Sequence, residues 1–217
     1  ILPDCGILQP SLISACIRNL AIPLNAVYSV AKDRERDGRH LSEFEESNPM
    51  SYTLEQFAAD IHETLKADPG PGGQEKVLDY VRKALKDDEF VTANVPESLP
   101  EDRNVIYQDE ELGFLICAHN NSGAKKGYPH DHGSTWAIYG QAVGETEMTD
   151  WKVVEKGDSP RTATKVEIDR SYHLKPGDAH LYPAGAIHAP MRDGPTRLIR
   201  IEGADTAKLE RTRIEPA

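Results

Sequence analysis

PHDHGSTWAIYGQAVG, residues 129–144, holds two histidines one residue apart, then a glycine, then an aromatic-rich run that alternates like a strand. On a strand, residues two apart share a face, so His130 and His132 are expected to aim into one cavity. Neutral imidazole is the commonest ligand for transition metals. Such a pair alone is a weak signal, because chance and polar surface pairs produce many. GDAHLYPAGAIHAP, residues 177–190, strengthens it. A Pro–x–Gly turn, Pro183 to Gly185, precedes His188 and sets how the chain enters the strand that carries it. In a barrel, His188 would meet the first two histidines from a facing strand.

The surrounding sequence supports a barrel. From about residue 96 the runs NVIYQ, LGFLICAH, STWAIYGQAV, TEMTDWKVV, TKVEIDRSYHL, AHLYP and TRLIRIEG are separated by turn clusters such as NNSGAKKG, KPGD and RDGP. Short strands with regular turns predict an all-β sandwich or barrel over residues 96–217. Residues 50–95 read as two helices. Thr53 and Gln56 have capping-box spacing, and Leu54, Phe57, Ile61 and Leu65 form an apolar stripe. DPGPGG is expected to stop that helix, and a second is expected from about Gln74 to Lys86. His62, on the first helix, reads as a surface or hydrogen-bonded histidine. Residues 1–49 have an apolar half without a clean period and a highly charged half. They are expected to be a poorly packed extension, or an arm docked on a partner subunit.

The 217 residues carry a formal net charge of −11. An acidic surface repels phosphate backbones, which argues against nucleic acid as a partner. No basic run suits a membrane surface, and Arg18, Asn19, Pro23 and Asn25 interrupt the most apolar stretch, so no membrane association is expected. The three cysteines match no zinc pattern, and their odd number argues against a disulfide framework. Cys117 reads as a core residue. A reducing, cytoplasmic location fits this usage.

The two histidine stretches resemble the two motifs of the cupin family. In the first, the HxH, its spacing and Gly144 agree, while Ala137 stands at the glutamate position and the leading glycine is displaced. In the second, Gly177, Pro183, Gly185 and His188 agree at every position, though the closing asparagine is replaced. The resemblance covers roughly residues 100–203. It implies a mainly β, RmlC-like jelly-roll barrel preceded by two α-helices, with His130, His132 and His188 as metal ligands. It is also compatible with a homodimer.

Among cupins, the sequence is similar to the three-histidine thiol dioxygenases, of which the cysteine dioxygenases are the nearest in pattern. Two helices precede their barrel. Their Arg–Asn–apolar–apolar stretch has its counterpart in Arg103, Asn104, Val105 and Ile106. The resemblance implies Fe(II), with Zn, Ni, Cu or Mn as alternatives, because the ligand set itself does not choose. It implies that Arg103 holds a substrate carboxylate, a task suited to the two-pronged guanidinium. An ion pair of Arg103 with Glu101 or Asp102 is the competing reading. The family's Ser–His–Tyr set after the third metal histidine is absent from TRLIRIEG, and Glu101 and Ala137 stand where a tyrosine and a crosslinking cysteine would be.

Three neutral histidines leave a divalent metal its full charge, which favours an anionic substrate. The expected substrates are therefore a small anion, with a thiol as the leading choice, and O2. Tyr139 and Gln141 are expected to share an inward face with Ala137 after a bulge at Gly133, and to contact substrate or oxygen. Trp136 is placed beside the metal by its position alone. Arg197 and Arg200 are three apart on a strand, so one at most faces the pocket; Arg200 is the candidate for an anion. Two other functions stay open: carbon–carbon cleavage of a diketone or hydroxylated aromatic, and a cupin that binds a metal or small ligand without turnover.

Overall fold

The computed structural model describes residues 51–159 and 162–217; the extension expected over residues 1–49 lies outside them. Helix α1, Leu54–Ala67, starts where the capping box requires. The Gln56 amide N–H donates to Thr53 Oγ1 at 3.2 Å, and the Thr53 amide donates to Gln56 Oε1 at 3.1 Å. Helix α2 is Pro71–Ala84, earlier than the sequence suggests. Pro71 occupies the first turn, where a missing N–H costs nothing, so the PGG expected as a stop is the start of the next helix.

A third helix, α3, Asp88–Asn94, was not expected. Seven residues are too few to show a period. Its signal is the cap: Asp87 accepts from the amides of Glu89 and Phe90 at 3.0 and 3.1 Å. Phe90 then packs edge-on against Phe57.

The strands are β1 Asp102–Gln108, β2 Leu115–Asn121, β3 Lys125–Lys126, β4 Ala137–Val143, β5 Thr146–Glu155, β6 Thr164–Leu174, β7 Ala179–Tyr182, β8 Ile187–Arg192, β9 Thr196–Glu202 and β10 Ile214–Pro216. One sheet runs β1-β2-β9-β4-β7 and the other β10-β6-β5-β8-β3. The eight strands β2 to β9 thus divide as 2-9-4-7 and 3-8-5-6. That interleaving is the jelly-roll arrangement of two facing antiparallel sheets. Outside the eight, β1 extends one sheet and β10 lies parallel to β6 on the edge of the other.

Alternation sorts the side chains. Ile138 of β4, Ile199 and Ile201 of β9, and Ile116 and Ala118 of β2 face outward and form one core with Phe57, Ile61, Val77 and Val81 of the helices. Gly140 lets α2 come close: a Cβ there would sit 2.6 Å from Val81 Cγ1 and 3.0 Å from Leu85 Cδ1. The alternate residues face inward. Ala137, Tyr139, Met148, Leu174 and Tyr182 make a second buried cluster inside the barrel. The helices therefore plaster one sheet from outside and leave the interior for the polar groups described next.

Candidate metal centre

His130, His132 and His188 come together with their ligand atoms all within 4.8 Å of one another. The expected geometry needs one correction. The HDH stretch is not a regular strand. His130 forms an isolated bridge to His188, each amide donating to the other's carbonyl at 3.0 Å, while His132 lies in the irregular segment before β4. A turn, rather than two-residue alternation, delivers the second imidazole. Gly133 has a φ of +63° there, and its Cα backs directly onto the Glu210 carbonyl, so no larger residue fits. The buried Asp131 carboxylate pins this turn, accepting from the amides of Gly133 and Thr212, each at 3.2 Å.

All three imidazoles are held in the neutral form that ligates a metal. Burial lowers the pKa of each, and the neighbouring imidazoles and Arg200 push His132 and His188 further, His132 to about 3. Their hydrogen bonds do not satisfy them. Nδ1 of His130 meets the Tyr128 carbonyl at 2.9 Å, which fixes its proton there and leaves Nε2 bare. Nδ1 of His132 and of His188 are buried without partners. Their Nε2 atoms lie 3.1 and 3.5 Å from the Tyr139 hydroxyl. One hydroxyl donates one hydrogen, so it cannot serve both nitrogens. Converging, unsatisfied imidazole lone pairs fit a transition metal as the fourth party.

The other expected site residues fall into two groups. Tyr139 is inward, stacked near His132 with ring centroids 5.8 Å apart, and the Arg200 guanidinium carbon stands 4.9 Å from its ring centre. Arg200 is the inward arginine of β9, while Arg197 points out and donates to the Val95 carbonyl at the end of α3.

Arg103 is held by two acids. Its Nε and Nη2 bond Glu202 at 3.1 and 2.9 Å, and Nη2 also bonds Asp205 at 2.9 Å, rather than Glu101 or Asp102. Trp136 packs with the helix-side core, not with the interior cluster. It precedes β4 by one residue and lies on the opposite side from Ala137. Gln141 is inward and fully buried, but its amide bonds the Val143 carbonyl and Thr146 Oγ1 at 2.8 and 2.9 Å, away from the histidines. His62 is bonded through Nδ1 to Asp109 at 2.8 Å.

Three interior residues were missed by sequence reasoning: His119, Arg192 and Glu202. Their signal was available, because His119 is two from the inward Cys117, Glu202 two from Arg200 and Arg192 four from His188. Glu202 is fully buried, and Arg103, Arg200 and the Thr206 amide surround it. Burial raises its pKa, but these partners outweigh burial and hold it at about 2.

No protein-family model matches the chain, and no curated protein sequence does. Solved structures match over about half of it. A conserved protein with a double-stranded β-helix domain from Klebsiella pneumoniae is 19% identical, covering 58% of this chain and 88% of its own, with a TM-score of 0.38. A cupin-2 domain protein from Shewanella frigidimarina is 15% identical over 48% of this chain and 82% of its own, TM-score 0.35. An oxalate oxidase is 18% identical over 50% and 54%, TM-score 0.36. Among the described residues no helix is long and apolar enough to cross a membrane. The chain thus pairs a jelly-roll barrel with an interior three-histidine cluster, and structures of cupin proteins are among those it is similar to.

Proposed function

We propose that the protein is a three-histidine, Fe(II)-dependent dioxygenase that oxidises a small anionic substrate, a thiol, with O2. The observation that carries the proposal is the convergence of three neutral, unsatisfied imidazoles inside a barrel that also buries the Arg200 guanidinium. His130, His132 and His188 hold the metal. What the metal supplies there is charge and open coordination positions for two small molecules. The Tyr139 hydroxyl, released from the ring nitrogens once their lone pairs are taken, is free to donate to the substrate. Arg200 opposes its negative charge, the part that the resemblance implies for Arg103.

A second reading, carbon–carbon cleavage of a diketone or hydroxylated aromatic, is favoured by β9. Glu202 and Arg200 occupy the strand where the thiol dioxygenases carry their Ser–His–Tyr set, and Arg103 of β1 reaches across to Glu202.

Oxygen uptake by Fe(II)-loaded protein tests both readings. The substrates are cysteine, 3-mercaptopropionate, cysteamine, a β-diketone and a hydroxylated aromatic, with His188→Ala as the control. Uptake with one thiol, lost in the variant, supports the first reading. Uptake with the diketone or the aromatic replaces it with the second. Uptake that survives in the variant rejects the site.

A further inference from the structure

Arg192 ends β8 on the inward face that His188 occupies four residues earlier. It is 8% exposed, and its Nε is buried without a partner. Among the described residues no acid pairs with it. Asp102 acts on it through space, but the Asp102 carboxylate is already bonded to Lys125 at 2.8 Å. Burial lowers the pKa of Arg192, whereas Glu202 raises that of Arg103. A buried guanidinium without an anion is unfavourable and persists only where an anion or water completes it.

Two more buried nitrogens lack a partner, one a guanidinium N–H and the other an imidazole nitrogen that donates in its Nε2–H tautomer. Arg200 is 7% exposed; its Nη2 bonds Thr206 at 3.1 Å and Glu202 at 3.2 Å, but its Nε has no partner. His119 Nε2 is buried and unpartnered as well. His119 lies opposite Arg103 in the β1–β2 register, and Cys117, two residues before it on the same face, lies opposite Arg200. Burial lowers the pKa of His119, and Arg200 and Arg192 lower it further. The acids are unevenly shared. Glu202 answers Arg103 and Arg200, Asp205 adds to Arg103, and among the described residues Arg192 has no carboxylate at ion-pair distance.

We propose that Arg192, with the unpartnered nitrogens of Arg200 and His119, forms an anion subsite inside the barrel. It takes the carboxylate end of a small molecule whose other end reaches the three histidines. A planar oxyanion suits it, because a guanidinium offers two parallel donors. Tyr139 joins the two places, with its hydroxyl at the histidines and its ring against Arg200. The proposal rests on the barrel interior being the substrate cavity, as in the proposed function, and requires neither iron nor a thiol.

The test uses the metal-free full-length protein, so that no probe can bind through a metal. Malonate is the probe and malonamide its uncharged match, in a buffer poor in other anions. Calorimetry should show malonate binding to the wild type, at least about tenfold weaker binding to Arg192→Met, and none of malonamide to either. Without malonate, Arg192→Met should melt no lower than the wild type, because the variant removes an unpaired buried charge. Equal malonate affinity in both proteins, or none in the wild type, overturns the proposal. So does a variant that melts well below the wild type in the absence of anion, since that marks a structural arginine. Failure of every thiol in the oxygen assay would remove the proposed chemistry and leave this subsite standing. Failure with malonate would do the reverse.

Discussion

Arg103 and Glu202 meet as fork on fork, Nε to Oε1 at 3.1 Å and Nη2 to Oε2 at 2.9 Å, with the carboxylate wholly inside the barrel. Removing one partner leaves the other charge buried or half-buried without its match. Glu202→Gln is expected to destabilise the protein by about 3 kcal/mol, read from urea unfolding midpoints at neutral pH. A loss below about 0.5 kcal/mol would mean that the network adds nothing net.

The same carboxylate sets an acid limit. Its folded pKa is depressed to about 2 from an ordinary value of 4.5. A depressed carboxylate stabilises the fold fully above its unfolded pKa, and that contribution is lost as pH falls toward the folded one. Unfolding free energy should therefore drop between about pH 4.5 and 2, and the Glu202→Gln protein should show a shallower drop there.

His188 makes the backbone bridge to His130 and contributes one of the three imidazoles that could hold a metal. Alanine keeps the bridge and deletes the imidazole. His188→Ala should keep its circular dichroism and melt near the wild type, yet lose stoichiometric iron by elemental analysis. Iron retained at one per chain would place the metal elsewhere.

Tyr139→Phe separates holding the metal from using it. The ring keeps its contact with Arg200, and only the hydroxyl near His132 and His188 is lost. Iron content should be unchanged, while turnover in oxygen uptake falls by about 100-fold, as expected of a lost proton donor. Unchanged turnover would remove Tyr139 from the chemistry.

Gly140→Val tests the helix layer. Its side chain would meet Val81 of α2 and Leu85 at the helix's C-cap, whose positions the core fixes. A cost of about 1–3 kcal/mol is expected in denaturant unfolding. A neutral result would mean that α2 docks loosely on β4.

Much of this was legible in the sequence because the decisive elements repeat simple periods or caps. Thr53 and Gln56 announce α1, and the run TKVEIDRSYHL is the whole of β6. The three histidines were legible because Pro183, Gly185 and the HxH spacing constrain how the chain can turn. What was hidden depended on partners distant in sequence. Nothing near Arg103 announces Glu202, ninety-nine residues later. Trp136 and Ala137 are neighbours, and which one faces inward depends on where β4 begins, set by the turn at Gly133. α3, β3 and β10 are too short to show a pattern at all.

Asp131 ties the histidine turn to Thr212, and just beyond it β10 pairs with the edge of β6. During synthesis, then, the loop that carries two of the three histidines is held by the His130–His188 bridge alone and lacks its Asp131–Thr212 clamp until residues 210–216 have emerged from the ribosome. A nascent chain stalled before that point leaves the β6 edge unpaired and the histidine turn unsecured. Closure of the three-histidine turn is accordingly a late event in the synthesis of this protein, after the barrel strands themselves have been made.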